Sequence, residues 1–353
     1  MKEVYLFNPE HDLALAHGSH SYTAPPFARQ FRRDMRLLPA WLAPSGAYVA
    51  VPDDCDTSAD ARWLERMNLS VTPIAFGQIA ALGSCRIHPW GWDAALRYRL
   101  VQSGVDERYL PPMGEMEWVR RLSHRRVTIE IHKALGVKLS PFPLELCDCE
   151  DVADFMTEHP GCYLKMPWSG SGKGIYRVID PVGDRHVPRW IEGALRRQGS
   201  LLCEVGLDRV QDFAIECECC GGKTVLIGYS VFSSDFHSQF GAGMVAPREE
   251  LHQFLTNQYS DLDQVVNLLL AALDKVVAPH YNGPLGVDMM LYRDEDGALS
   301  INPCVEINLR MTMGMVTAAL GERHGMCGKF VIGGPDSAGE PLTPVADYTA
   351  FLV

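Results

Sequence analysis

The sequence predicts a mixed architecture, an α/β unit over residues 1–115 followed by two α+β units, 116–202 and 203–353. Three observations carry this. Short apolar strand candidates alternate with helical patterns in the first unit, as in an α/β domain with a partly parallel sheet. A stretch with two prolines, "KLSPFPLELCDCEDV", marks a seam in the chain. Beyond it, runs of period-two alternation are joined by tight turns and read as antiparallel hairpins.

The elements follow in order. "EVYLF" (3–7), "AYVAV" (47–51) and "VTPIAF" (71–76) are strands, and "DARWLERMNL" (60–69) is a helix. In "HPWGWDAALRYRLVQSGV" (88–105), Asp93 caps a helix on which Leu96, Leu100 and Val101 recur at helical spacing. "MEWVRRLSHRRVTIEIHKALGV" (116–137) is a helical stretch ending at Gly136. "EDVADFMTEH" is a short helix, and "GCYLKMP" and "GIYRVI" are strands on either side of a Gly-Ser loop. "VPRWIEGALRRQ" (187–198) is an amphipathic helix and "SLLCEV" a strand. "FAIECECC" and "KTVLIGYSVF" flank Gly221-Gly222 as a hairpin, and "YSDLDQVVNLLLAALDKVV" (259–277) is a long helix. "GPLGVDMMLYR" and "LSINPCVEINLRM" form a second hairpin around "DEDG".

Composition narrows the function. The 32 basic and 44 acidic residues leave a net charge of −12, which argues against nucleic acid or an anionic membrane as a partner. The N-terminus has no apolar run of signal-peptide length, because Asn8, Glu10, His11 and Asp12 interrupt it. The longest apolar run, "VVNLLLAAL", is too short to span a bilayer. A soluble, cytoplasmic protein is expected. Eleven cysteines, an odd number, read as reduced thiols rather than a disulfide framework, and those of "ECECC" and "CDC", without a matching His, as core or half-buried thiols rather than a metal centre.

The loop in "LKMPWSGSGKGIYRV" (164–178) has the composition of a phosphate cradle but is not a P-loop. Pro167 stands where that motif needs its first Gly, and Gly174 where it needs the magnesium-binding Ser or Thr. Oxygen ligands occur far downstream. Glu306 and Asn308, two apart on one strand, project from the same face, and antiparallel pairing brings Asp288 alongside them. Two carboxylates and an amide oxygen make a hard site suited to magnesium on a nucleotide phosphate, with Arg310 on that face for an anion.

The ordered set "K-x-P-x-x-G-S-G-K-G", then "D…E-x-N-x-R", resembles the ATP-grasp superfamily over roughly residues 116 to 320. The resemblance implies an N-terminal α/β domain and two α+β lobes enclosing Mg·ATP, with manganese as an alternative metal. It makes Lys165 the α/β-phosphate contact and Ser169, Gly170, Ser171, Gly172, Lys173 and Gly174 the flap. Glu204 and the backbone from Val205 to Leu207 would meet adenine, and Asp212 the ribose. Asp288, Glu306 and Asn308 correspond to the metal ligands, and Arg310 to the arginine near the transferred phosphate, so that Lys165 and Arg310 are the catalytic candidates. Two features depart from the D-alanine ligase-like branch. No Lys or Arg follows the hinge between Tyr229 and Arg248, and Gly286-Val287, not arginine, precedes Asp288.

The activity implied is a ligase that turns a small-molecule or peptide carboxylate into an acyl phosphate for attack by an amine or another nucleophile. An ATP-grasp kinase acting on a hydroxyl, or a nucleotide-binding protein without turnover, fits the same residues. Asn8, Glu10 and His11, just past the first strand, are expected at the acceptor, with an ordinary turn capped by Asp12 as the competing reading. His237 is a further acceptor candidate, and "HPWGWD" and "FHSQFGAG" are weaker ones, core packing being the commoner use of such aromatics. The oligomeric state is left open, a homodimer included.

Overall fold

The computed structural model describes residues 1–136, 142–170, 174–180, 183–234 and 240–353. Ser171, Gly172, Lys173 and His237 lie outside them. The described residues form three sheets. The first contains four parallel strands in the order Thr72–Ala75, Tyr48–Val51, Lys2–Leu6, Cys85–Pro89. The chain thus runs outward from its first strand and returns for the fourth on the other side. That reversal opens a crevice past the carboxyl ends of strands one and four, where α/β sheets bind ligands. The strand Cys85–Pro89, which creates the crevice, was not anticipated from sequence.

A second sheet, antiparallel and eight strands wide, carries both expected hairpins, Asp208–Cys220 with Lys223–Ser234 and Gly283–Arg293 with Leu299–Asn308. Alternation explains its two faces. Phe213, Ile215, Cys217 and Cys219 point into the core beneath the helix Leu262–Val276, whose Val266, Leu269 and Leu273 are buried with them. Asp212, Ala214 and Glu216 point the other way, into the cleft. The third sheet is small: Leu144–Leu146, Leu201–Glu204, Tyr163–Lys165 and Ile175–Arg177, all antiparallel. Leu164 faces its core with Val152, Phe155 and Ile191, so its neighbour Lys165 must face the cleft.

Several expectations need correction. The stretch 116–137 is two helices, Met113–Leu122 and Val127–Leu135, separated at Ser123–Arg126, although Gly136 does end the second with φ 66°. Asp12 caps nothing: the helix His11–His17 starts at Glu10 without a side-chain cap, and Asp12 pairs elsewhere. Cys147, Cys149 and Cys220 are exposed rather than packed, whereas Cys217 and Cys219 are buried as their strand face requires. The helices Arg248–Thr256 and Met313–Glu322 and the strands after residue 327 were also unforeseen. Those late strands pack on the N-terminal residues. Trp41, 2% exposed, donates its indole N–H to the Leu342 carbonyl, and Phe7, Trp90, Phe330 and Ala350 share one core.

Candidate active site

The site begins with the hairpin register. Asp288 lies directly opposite Glu306, and Gly286 opposite Asn308, so three oxygen-bearing groups share one patch of the cleft face. Asn308 directs its amide nitrogen to Asp288 Oδ2 at 3.3 Å, while its oxygen accepts from Arg310 Nη2 at 2.9 Å. A half-turn of that amide would exchange the two. Burial, with Glu306 and Glu216 adding negative charge, pushes the Asp288 carboxyl up to about 8.

Arg310 also reaches Asp12, at 3.2 Å from Nε and 3.1 Å from Nη2. Asp12 therefore joins the N-terminal loop to the site. Gly170 of the flap lies against the same carboxylate, since a Cβ there would come within 2.6 Å of Asp12 Oδ2. At the other end of the loop, a Cβ on Gly174 would strike Ser169 Cβ at 2.3 Å. The position where a P-loop needs Ser or Thr has no room for either.

Arg125 is the main residue that sequence reasoning missed. It sits in the break between the two helices, 4% exposed, and its backbone N–H donates to Pro167 O. Nη1 donates to Met166 O and Ser169 Oγ, both at 2.6 Å, and Nη2 to Glu306 Oε1 at 2.7 Å. One guanidinium fork thus ties the root of the flap to the carboxylate strand. The available signal was the His-Arg-Arg run inside an otherwise amphipathic stretch, which marks a break rather than a helix face. Arg125→Lys keeps the charge but loses the fork. A loss of about 1–2 kcal/mol in stability is expected, together with weaker nucleotide binding. Thermal denaturation with and without ADP would check both.

Lys165, 5% exposed, donates to Glu204 Oε2 at 2.6 Å. Both line a cavity of about 140 Å³ with Val205, Leu207, Asp212 and Asp288. Asp212 accepts from Arg209 and Ser234, each at 2.9 Å. His132 lines this cavity too. Its Nε2–H donates to the Cys304 carbonyl at 2.9 Å, and burial lowers its pKa, which leaves Nδ1 a buried acceptor without a partner among the described residues.

A second chamber of about 750 Å³ shares Asp288 and Glu306 with the first. Its walls include Glu10, Asp12, Trp90, Ser169, Phe240 and Arg310. Of the acceptor candidates, Glu10 faces this chamber. Asn8 instead staples two loops, donating to Gly91 O at 2.7 Å, and His11 is buried against Gly91 and Asp93.

Glu216, also unforeseen as a site residue, lies in the wall of this chamber and is 1% exposed. It accepts from Thr312 Oγ1 at 2.7 Å and Ser230 Oγ at 3.0 Å. Its neighbours across both adjoining strands are glycines, Gly228 and Gly286. A Cβ on Gly286 would approach Thr312 Cγ2 at 2.7 Å and Glu216 Oε2 at 2.9 Å, and one on Gly314 would meet Glu216 Oε1 at 1.9 Å. The glycine before Val287 is therefore a packing requirement of Glu216, which accounts for the missing arginine at that place.

By sequence the chain matches no protein-family model and no curated protein. By structure it resembles the biotin carboxylase domain of Hydrogenobacter thermophilus 2-oxoglutarate carboxylase, with TM-score 0.53 and 14% identity over 100% of this chain and 86% of that one. It also resembles N5-carboxyaminoimidazole synthetase from Staphylococcus aureus (TM-score 0.51, 10% identity, 100% and 93% covered). Biotin carboxylase from Campylobacter jejuni is a third (TM-score 0.52, 13% identity, 95% and 77% covered). The chain has the ATP-grasp fold. No helix among the described residues is long and apolar enough to cross a membrane.

Proposed function

We propose that the protein is a Mg·ATP-dependent ligase that activates a carboxylate as an acyl phosphate for attack by an amine or another nucleophile. The observation that carries this reading is the meeting of two cavities at one carboxylate wall, Asp288 and Glu306, with Arg125 and Arg310 at its edges. The smaller cavity gathers Lys165, Glu204 and Asp212, the residues expected to meet a nucleotide, and the larger has room for the groups that react with its terminal phosphate. The fold supports this, since the solved relatives named above are complexes with MgADP, ADP or a β,γ-ATP.

The residues present fit a divalent cation. Asp288, Glu306 and Asn308 can all offer oxygen ligands, and a cation between the two facing carboxylates would hold Asp288 ionised against its burial. Magnesium or manganese held there would neutralise phosphate charge as a Lewis acid. In this reading Lys165 meets the α- and β-phosphates, the Ser169–Gly170 backbone covers them, and Arg310 meets charge developing on the transferred group.

In the first step a carboxylate oxygen of the substrate attacks the γ-phosphorus. The bond from phosphorus to the β,γ-bridging oxygen breaks, and ADP leaves with the electron pair. In the second, the nucleophile attacks the acyl carbon, the C–O bond breaks, and phosphate leaves with the electron pair and takes up the proton that the nucleophile releases. Neither step uses a protein nucleophile, and positioning with charge neutralisation supplies the catalysis.

Hydroxylamine tests this directly. Incubated with Mg·ATP and pools of small carboxylates, the protein is expected to form hydroxamate in proportion to ADP. A phosphorylated product that hydroxylamine does not trap would mean a kinase. ATP bound tightly with no ADP released would mean a binding protein.

A further inference from the structure

A third cavity, of about 160 Å³, lies at the crevice where the parallel sheet reverses direction. It is lined by Asn8, Glu10 and Asp93, from the loops after strands one and four, and by Tyr22, Arg29, Arg32 and Arg99. At about 30 Å³ per water it has room for roughly five waters, or one small molecule.

The polar groups around it are incompletely paired. Glu10 is 5% exposed; its Oε1 takes Arg32, with Arg99 at 3.7 Å, while Oε2 is buried with no partner among the described residues. The Tyr22 hydroxyl is buried and likewise without a partner among the described residues. Burial, with Glu10 and Asp93 near by, pushes it up to about 12, so it stays protonated and able to donate. Arg99 stacks on Phe76, with its guanidinium 4.8 Å from the ring centroid, and partial burial and Arg32 lower its pKa. Three guanidiniums meet two carboxylates here, one of which, Asp93, is already engaged as the cap of the helix Ala94–Gln102. A buried carboxylate oxygen without a donor and a buried hydroxyl without an acceptor are costly unless a ligand supplies both.

We infer that this cavity binds the head group of a free α-amino acid, its ammonium on Glu10 Oε2 and its carboxylate on Tyr22, Arg29 and Arg99. The two unpaired atoms call for a donor and an acceptor on one small molecule, and the surplus of guanidinium favours a carboxylate beside the donor. Glu10 also lines the large chamber, so an amine held there is presented toward the Asp288–Arg310 wall. The inference rests on the ligase reading only in making that amine the nucleophile; binding stands apart from it.

The test is binding of each of the twenty L-amino acids, and of inorganic phosphate, to the full chain by calorimetry, with Mg·ADP affinity measured separately. At least one amino acid is expected to bind, and its amide and N-acetyl derivatives at least tenfold more weakly. Arg29→Ala, an exposed position, and Arg99→Met are each expected to weaken that amino acid at least tenfold while Mg·ADP affinity holds. Three results would overturn the inference: no amino acid binding, binding indifferent to the amide, N-acetyl and arginine changes, or phosphate competing as strongly as the amino acid. Loss of Mg·ADP binding by the unaltered protein would instead remove the ligase reading and leave the amino-acid site standing on its own data.

Discussion

Arg310→Ala is expected to turn over ATP about 10²–10³-fold more slowly than the unaltered protein, with ADP affinity changed only a few-fold. The reason is differential. A guanidinium aimed at the transferred group gains most when charge develops there, and little in the nucleotide complex. Arg310 is held by Asp12 and by the oxygen of Asn308, which fixes its guanidinium for the proposed role. Arg310→Lys should recover only part of the loss, because a single ammonium cannot engage both partners in one plane. Steady-state ADP release with nucleotide titration separates the two quantities. An equal fall in affinity and turnover would show that Arg310 serves only ground-state binding.

The second large effect concerns Glu216. Burial pushes this carboxyl up to about 7 from the ordinary 4.5, against the lowering effect of the Thr312 and Ser230 hydroxyls. A raised carboxyl favours the folded state when protonated. Its contribution is complete below about pH 4.5 and is lost as pH rises through about 7. The loss is on the order of 3 kcal/mol at pH 8 relative to pH 4.5. Glu216→Gln keeps the shape and removes the titration. The stability difference, variant minus unaltered protein, is expected to move in the variant's favour between pH 5 and pH 8. Urea denaturation at several pH values, without nucleotide or metal, measures it. A difference that stays constant across that range would mean Glu216 does not titrate as its burial requires.

Much of the site was legible because its signals are local. Residues two apart on a strand share a face whatever the fold, so Glu306 and Asn308 could be paired from spacing alone. The turn "DEDG" made the hairpin legible, but its own register would set Asp288 opposite Cys304; an irregularity between Asp288 and Met290 shifts it opposite Glu306. Lys165 follows in the same way from the buried Leu164 beside it. The failed P-loop alignment was informative for a steric reason: Gly174 presses on Ser169, and the carboxylates that would hold the metal lie on another sheet.

Other parts were hidden because they depend on contacts between segments far apart in sequence. Asp12 reads as a helix cap until the fold brings Arg310 to it across almost the whole chain, and a charged partner then outcompetes the local turn. Arg125 lies inside an apparently continuous helical pattern, and only the flap root and Glu306 give it partners. Glu216 looks like one polar position in an alternating strand. Its burial becomes visible only when glycines on both neighbouring strands and the first turn of the helix Met313–Glu322 close over it. The sequence by itself determined the strands, their faces and the order of the phosphate and carboxylate motifs, because backbone periodicity and turn chemistry act over a few residues. Tertiary structure alone decided which charges pair, which carboxyl is stripped of water, and where the arginine-lined crevice opens, because those depend on the register and crossing of distant segments.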